Sequence, residues 1–455
     1  MVAAQMYDAL DDFAAAGQPL PADLYQRFVS WTRRAPLASV DHHMPATERN
    51  EMENKSEERA GWLREAMVVK LREQDAIVSD EVAAAFAAVP RHQFAPGEPL
   101  ERSYDLNVTL APKTLADGTE TSVVSAAEIQ AAMLEQTQIE PGMNVLEIGS
   151  GGYNAALIAE LVGPTGWVTT VDIDADITAR AAAYLRQSGY GRVSVVTADA
   201  EHGVPDHAPF DRIIVTVGAW DIPPAWIEQL TETGRIVVPL RFAGITRIIA
   251  FDRAPGSSVL TAASYRLGAF VPMQGDGATQ EQLVAITPDV ALRLDPQQQA
   301  RFDIPALRKA IHEPGIERWS GTAFDMPDEL QLFLLTNGGP QMPMLHVSQA
   351  MIDQDVFQPS ARLGVPVLIA GGSFAYRTKR TNPQTSSGYE TGVIAHGPDA
   401  EQVANRLLEL IRDWARDHFL RGSAHIAYHP AGADATGPAG WNTVKRHGTL
   451  AVTWS

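Results

Sequence analysis

Residues 145–163 read VLEIGSGGYNAALIAELVG, and they put Glu147 two positions before a turn made of Gly149, Ser150, Gly151 and Gly152. Glycine at such a turn lets a ligand approach the backbone closely. Asp172 follows about twenty residues on, ending VTTVDI-type apolar sequence where an acid can accept hydrogen bonds from ribose hydroxyls. Asp199 ends VSVVTAD, placed to meet a base edge. A plainer role exists for Asp172, and equally for Asp174, as the cap of the helix that follows. Three strand ends that each carry glycine or an acid point to a cofactor containing a nucleoside. The run EIGSGGY does not fit the G-x-G-x-x-G of a dinucleotide site. Glu147 would repel a pyrophosphate and suit a cation. S-adenosylmethionine carries a sulfonium and an ammonium, so the pattern favours it over NAD or FAD.

These residues need a sheet to bring them together. NVLEIG, WVTTVDI, VSVVTAD, DRIIVTV and GRIVVPL are short, apolar and rich in β-branched residues, as strands buried on both faces are. Helical patterns over 155–161, 175–187 and 224–231 alternate with them. That alternation predicts an α/β fold, doubly wound, with a mostly parallel sheet.

The 455 residues suggest three regions. Residues 1–58 form a short helical N-terminal region, with helices over 3–16 and 22–32 and a polar linker, DHHMPATERNEMENKSEER, that holds His42 and His43 in a solvated loop. Residues 59–277 hold the α/β pattern. Residues 278–455 are an additional α+β domain, with helices over 299–312 and 400–416, the apolar run VPVLIAGG, and a tail rich in Gly, Ala and Pro. The net charge of -19 argues against a nucleic-acid partner, which wants a basic footprint. The absence of cysteine excludes disulfides, thiolate metal sites and a cysteine nucleophile. No metal site is expected. No apolar run has the length of a membrane span, and the acidic N-terminus lacks a signal-peptide pattern. The expectation is a cytoplasmic protein with no membrane partner.

Over residues 61–275 the sequence resembles the protein-L-isoaspartate O-methyltransferases. The segments that carry the resemblance are AAVPRHQFAP (87–96), Val124-Ser125-Ala126, VLEIGSGGY, VTTVDID, HAPFDRIIVT (207–216), IPPAWIEQL (222–230), GRIVVPL and FVPM (270–273). The resemblance implies the class I methyltransferase fold (Rossmann-like) and methyl transfer from S-adenosylmethionine to a peptide carboxylate. Carried over by position, it makes Gly149, Ser150 and Gly151 the cofactor loop. Asp172 with Ile173 meets the ribose, and Asp199 with Ala200 meets the adenine. The active-site serine falls on Ser125, and Ser122, Val123 and Val124 line the same pocket. The sequence departs from the family in four places. Its glycine loop is one residue shorter, Ala127 replaces a proline, Ala200 replaces a glycine, and residues 278–455 extend beyond the usual end.

Those departures resemble the relatives that act on ribosomally made precursor peptides, in lanthipeptide and graspetide pathways. The implied reaction there is methylation of an aspartate, followed by collapse of the ester to an aspartimide. The expected partner is a peptide or protein bearing aspartate or isoaspartate, and a modified precursor peptide is the first expectation. Repair of isoaspartate in damaged proteins is the alternative, and a catalytically idle cofactor-binding scaffold is a third. Ser125 would aim a carboxylate oxygen, although S-A-A-E is also a capping-box pattern. Residues 278–455 are expected to recognise the peptide. The basic cluster Arg377, Lys379 and Arg380 is a candidate contact for an acidic peptide, against the simpler reading of a solvated loop. Trp319, Trp414 and Trp441 read as core or domain contacts.

Overall fold

The computed structural model describes residues 46–114, 120–279, 281–295, 302–321, 328–339, 342–361, 364–384, 388–421, 424–432 and 440–455. The helices expected over 3–16 and 22–32, and His42 and His43, lie outside the described residues. Contacts divide the chain into Met1–Glu58 and Arg59–Ser455. The polar stretch expected to be a linker is instead helical from Ala46, and it runs on as α1 (Ala46–Glu73). Polarity alone does not break a helix. After Pro45 the stretch holds no Pro or Gly until Gly61, and Glu, Lys, Arg and Met are good helix formers. A second helix, α2 (Asp80–Ala88), is capped by Ser79, whose hydroxyl accepts from the Val82 N–H.

The five apolar segments form parallel strands: β3 (Asn144–Ile148), β4 (Trp167–Asp172), β5 (Ser194–Thr197), β6 (Phe210–Val215) and the start of β7 (Leu230–Phe242). Before them stand a hairpin, β1 (Leu110–Thr114) with β2 (Glu120–Val124), and α3 (Ala127–Thr137). Helices α4 (Tyr153–Val162), α5 (Ala175–Gln187) and α6 (Pro224–Glu228) connect the parallel strands. The order β5-β4-β3-β6-β7 reverses direction between β3 and β6. This is the doubly wound class I methyltransferase arrangement, and ligands bind at the strand tips beside that reversal. Small residues on α4 let it sit close: all but Glu160 of its ten residues are buried.

The sheet is mixed rather than mostly parallel. Beyond β7 it continues through antiparallel β8 (Ile245–Arg253) and β9 (Leu260–Leu267). It is completed by β17 (Ala424–Pro430), β19 (Gly448–Trp454) and β18 (Trp441–Val444), giving ten strands. The sheet therefore crosses the boundary expected at 277/278. The tail rich in Gly, Ala and Pro begins in β17 and ends in β18, and in β17 the sequence AHIAYHP alternates more and less buried residues.

The residues between form a second, antiparallel sheet, with three helices that help cover it. The order is β10 (Gln282–Thr287), β11 (Val290–Leu294), β13 (Met344–Val347), β14 (Val365–Ala370), β15 (Ser373–Thr381), β16 (Tyr389–His396) and β12 (Ile316–Trp319). Helix α7 (Ile304–Ile311) buries Leu307, Ala310 and Ile311. Helix α8 spans Asp328–Asn337. Helix α9 (Ala400–Asp417) buries Val403, Ala404, Leu407, Leu408, Leu410, Ile411 and Trp414. That spacing makes one apolar stripe, and each large side chain in it contributes roughly 1.5–3 kcal/mol of burial. Trp414 is core, as expected. Trp441 stacks near Phe242, with centroids 5.9 Å apart. Among the described residues no helix is long and apolar enough to cross a membrane.

Candidate functional site

Three strand tips meet at the reversal point. Gly149 follows β3 with φ +95°, in the left-handed region, and a Cβ there would stand 2.5 Å from Thr216 Oγ1. That hydroxyl is fixed, because it donates to the carbonyls of Ile148 and Gly149, both at 3.0 Å. Gly152, with φ +84°, opens α4 against Phe94. Between them the Ser150 N–H donates to Asp172 Oδ2 at 3.0 Å, and the Ser150 hydroxyl is buried without a hydrogen-bond partner among the described residues.

Asp172 is not the cap of α5. Asp174 is, accepting from the N–H groups of Asp176 and Ile177. Asp174 also pairs with Lys113 of β1, which holds its carboxyl below the usual range. Asp172 Oδ1 instead accepts from the Asp174 N–H at 2.9 Å. Burial pushes the Asp172 pKa up, and these backbone donors oppose the rise. Ile173 stands exposed beside it.

Asp199 is held the same way. Its Oδ1 accepts from Glu201 N–H at 3.0 Å and its Oδ2 from Asp276 N–H at 2.8 Å. A Cβ on Gly275 would meet Asp199 Oδ2 at 2.2 Å, so glycine is required there, at φ +77°. Ala200 is buried, and its carbonyl accepts from Trp226 Nε1 at 2.7 Å. Among the described residues, Asp199, His202 and Asp276 bring potential metal-ligand atoms within 4.8 Å of one another.

Glu147 lies under the turn rather than at its surface. It is fully buried, and the Thr170 hydroxyl donates to its Oε2 at 2.5 Å. Desolvation pushes its pKa up to about 7. In this arrangement the acid faces β4 and α4.

A cleft is lined by Ser122, Val123 and Val124 from β2, by Ser150 and Gly151, and by Phe94. It thus joins the β2 residues to the glycine turn. Arg180 and Tyr184 of α5 line it too, and nothing in the sequence reading singled them out. Ser125 follows directly. The capping-box alternative is not realised, since the N-cap of α3 is Ala126, with no side-chain cap. Among the described residues the Ser125 hydroxyl makes no hydrogen bond, whereas its carbonyl accepts from Arg91 Nη2 at 2.7 Å.

Arg91 is another residue that sequence reasoning missed. It is fully buried, donating to Ser103 O at 2.9 Å and to Gln130 Oε1 at 2.7 Å, and its guanidinium sits 4.9 Å from the centre of the Tyr153 ring. Burial lowers its pKa below the ordinary arginine value. A signal was present: an arginine inside the apolar run AAAFAAVPRHQF has to find partners within the fold.

The basic cluster is neither a loop nor a free cationic patch. Arg377, Lys379 and Arg380 lie on β15. Arg377 is buried and donates to Thr391 Oγ1 at 2.7 Å. Lys379 stands over Tyr389 at 4.6 Å. Arg380 pairs with Glu390 at 2.7 Å and stacks over Trp319 at 4.0 Å. Strand pairing supplies these partners.

The glycine cradle, the orphaned Ser150 hydroxyl and the acids at the next two strand tips fit S-adenosylmethionine. Residues 63–277 match the family model described as protein-L-isoaspartate(D-aspartate) O-methyltransferase. The Methanopyrus kandleri protein-L-isoaspartate O-methyltransferase is 36% identical over 222 residues, covering 48% of this chain and 94% of that protein. A solved protein-L-isoaspartate O-methyltransferase aligns with TM-score 0.46 and 21% identity over 86% of this chain and 99% of its own. A Plasmodium falciparum structure of that description, in complex with S-adenosyl-L-homocysteine, aligns with TM-score 0.40 and 14% identity over 46% of this chain and 98% of its own.

Proposed function

The chain belongs to the protein-L-isoaspartate O-methyltransferase family, an S-adenosylmethionine-dependent one, and on that premise we propose that it methylates the side-chain carboxylate of isoaspartyl residues in proteins or peptides. The observation that carries this reading is Ser125. Its carbonyl is anchored by buried Arg91, its hydroxyl is uncommitted, and it directly follows the β2 residues that line the cleft.

The cofactor, when bound, supplies a methyl group made electrophilic by a positive sulfur. The accepting carboxylate is already ionised at neutral pH, so no strong base is needed. The chain's work is placement. The Gly149–Gly152 turn and Asp172 hold the nucleoside. Ser125 donates a hydrogen bond to one carboxylate oxygen and aims the other. Phe94, Val123 and Val124 keep water from the cleft.

A second reading is the aspartate of a ribosomally made precursor peptide. Residues 278–455, which lie outside the matched 63–277, favour it as a region that could select one partner. The isoaspartate reading has the stronger support, since the names of the relatives point to it. Mass spectrometry separates the two. The enzyme and S-adenosylmethionine are incubated with an isoaspartyl peptide, and separately with an aspartate-containing precursor peptide encoded beside the gene, linear and cyclised. Methylation of the isoaspartyl peptide is the expected result. A methyl gain followed by methanol loss on the precursor alone would overturn it in favour of the second reading.

A further inference from the structure

The hairpin of β18 and β19 turns through Lys445, Arg446 and His447, closed by Lys445 N–H donating to Gly448 O at 2.7 Å. All three side chains reach residues that precede 278 in the chain. Lys445 is buried, donates to Arg241 O at 2.6 Å and stands 3.8 Å from the centre of the Trp220 ring. His447 N–H donates to Asp221 Oδ2 at 2.6 Å, and Asp221 Oδ1 accepts from the Tyr428 hydroxyl at 2.7 Å. These bonds fix the turn in place.

What the turn then holds is specific. His447 Nε2 lies 2.8 Å from Glu201 Oε1, and Glu201 is buried. Arg446 Nη1 donates to Asp276 O at 3.0 Å and approaches Glu201 at 3.9 Å. Glu201 and Asp276 are the two residues whose N–H groups hold the two oxygens of Asp199. Gly277 leaves the room this needs, since a Cβ there would stand 2.7 Å from Glu201 Oε2.

We propose that His447 and Arg446 are positioning residues for Asp199, so that the chain beyond 278 completes the base-recognition end of the cofactor site. This rests on the reading of the strand tips as an S-adenosylmethionine site, with Asp199 facing the base. Residues made some 250 positions later thereby tune affinity for the cofactor, independently of any contact with the peptide.

The test uses the full chain and S-adenosyl-L-homocysteine as probe, by titration calorimetry. A second probe is its hypoxanthine analogue, which lacks the exocyclic amine. His447→Ala and Arg446→Ala are each expected to weaken the first probe about tenfold and to shrink the discrimination between the two, with the KM for peptide within twofold of wild type. His447→Gln, which keeps a donor for Glu201, should recover most of both. Val444→Ser, at an exposed position in the same hairpin, should match wild type. If His447→Ala fails to fold, Arg446→Ala, changed at a largely exposed side chain, decides alone. Binding within twofold of wild type and intact discrimination in a folded variant would overturn the proposal while leaving the cofactor site standing. Failure of wild type itself to bind either probe would instead sink the cofactor reading on which the proposal depends.

Discussion

Asp172 and Asp199 on one sheet, and Arg377, Lys379 and Arg380 on the other, are all charged residues that stand out in the sequence. The fold treats them oppositely. The two acids are held by backbone N–H groups at loop ends, with Ser150, Asp174, Glu201 and Asp276 as donors. Such donors fix a carboxylate without neutralising it, and each oxygen keeps a lone pair for a ligand. The basic residues are met by side chains of neighbouring strands: a hydroxyl for Arg377, a ring for Lys379 and a carboxylate for Arg380. A charged residue at a strand tip and one along a strand look alike in a sequence, but the first is held by the backbone and the second by side chains across the strand pairing.

The hardest way to break the first arrangement is Gly149→Ala. The left-handed backbone and the Thr216 hydroxyl 2.5 Å from the new Cβ together should cost about 4 kcal/mol. Chemical denaturation measures this, and S-adenosyl-L-homocysteine binding should be lost. Next is Arg91→Met, which strands the carbonyls of Ser103 and Ser125 and should cost about 3 kcal/mol. Because Ser125 is anchored through it, turnover should fall even where the protein stays folded. A variant as active and as stable as wild type would remove Arg91 from the site.

Glu147 gives a pH test of similar size. Its folded pKa, about 7, lies above the usual 4.5, so the folded state binds more protons between those values. Stability therefore falls as pH rises through that window, and the penalty is complete above it. Glu147→Gln should remove that slope, gaining about 3 kcal/mol on wild type between pH 4.5 and 8 in denaturant titrations. An unchanged slope would mean that the acid is hydrated and free to meet the cofactor directly.

Ser125→Ala sharpens the comparison at the reacting end. The hydroxyl supports no fold contact, so melting temperature and cofactor affinity should hold while kcat drops about 10- to 100-fold. Equal loss of affinity and turnover would make the serine structural. The smallest effect is expected in the other sheet. Arg380→Ala breaks the pair between a half-exposed arginine and a buried Glu390, should cost about 1 kcal/mol, and should leave the KM of an acidic peptide within twofold. A large rise in that KM would restore the cluster as a peptide contact.

The parallel half of the sheet was legible because each strand is a buried apolar run and each turn has its own signal, such as the glycines after Ile148 or Asp174 before α5. The hairpin ahead of α3 was not, since ETSVV and LAPKT are half polar and take their shape from each other. Helix α1 was hidden by its polarity. In the site, the local features of Gly149 and Asp172 could be read along the chain. Arg91 with Ser125, Glu201 with His447, and the pairing of β15 with β16 depend on residues far apart in sequence. No periodicity records such pairs.

The closure of the first sheet by β17, against Thr261 and Leu260 of β9, sets an order of events during synthesis. A ribosome delivers β9 long before residues 424–454. Through that interval the growing chain carries an open strand edge, a template for misassociation with other nascent chains. Folding of the catalytic half therefore stays unsealed until the second sheet has left the exit tunnel, and a message cut short after residue 421 would yield a chain with that edge still bare.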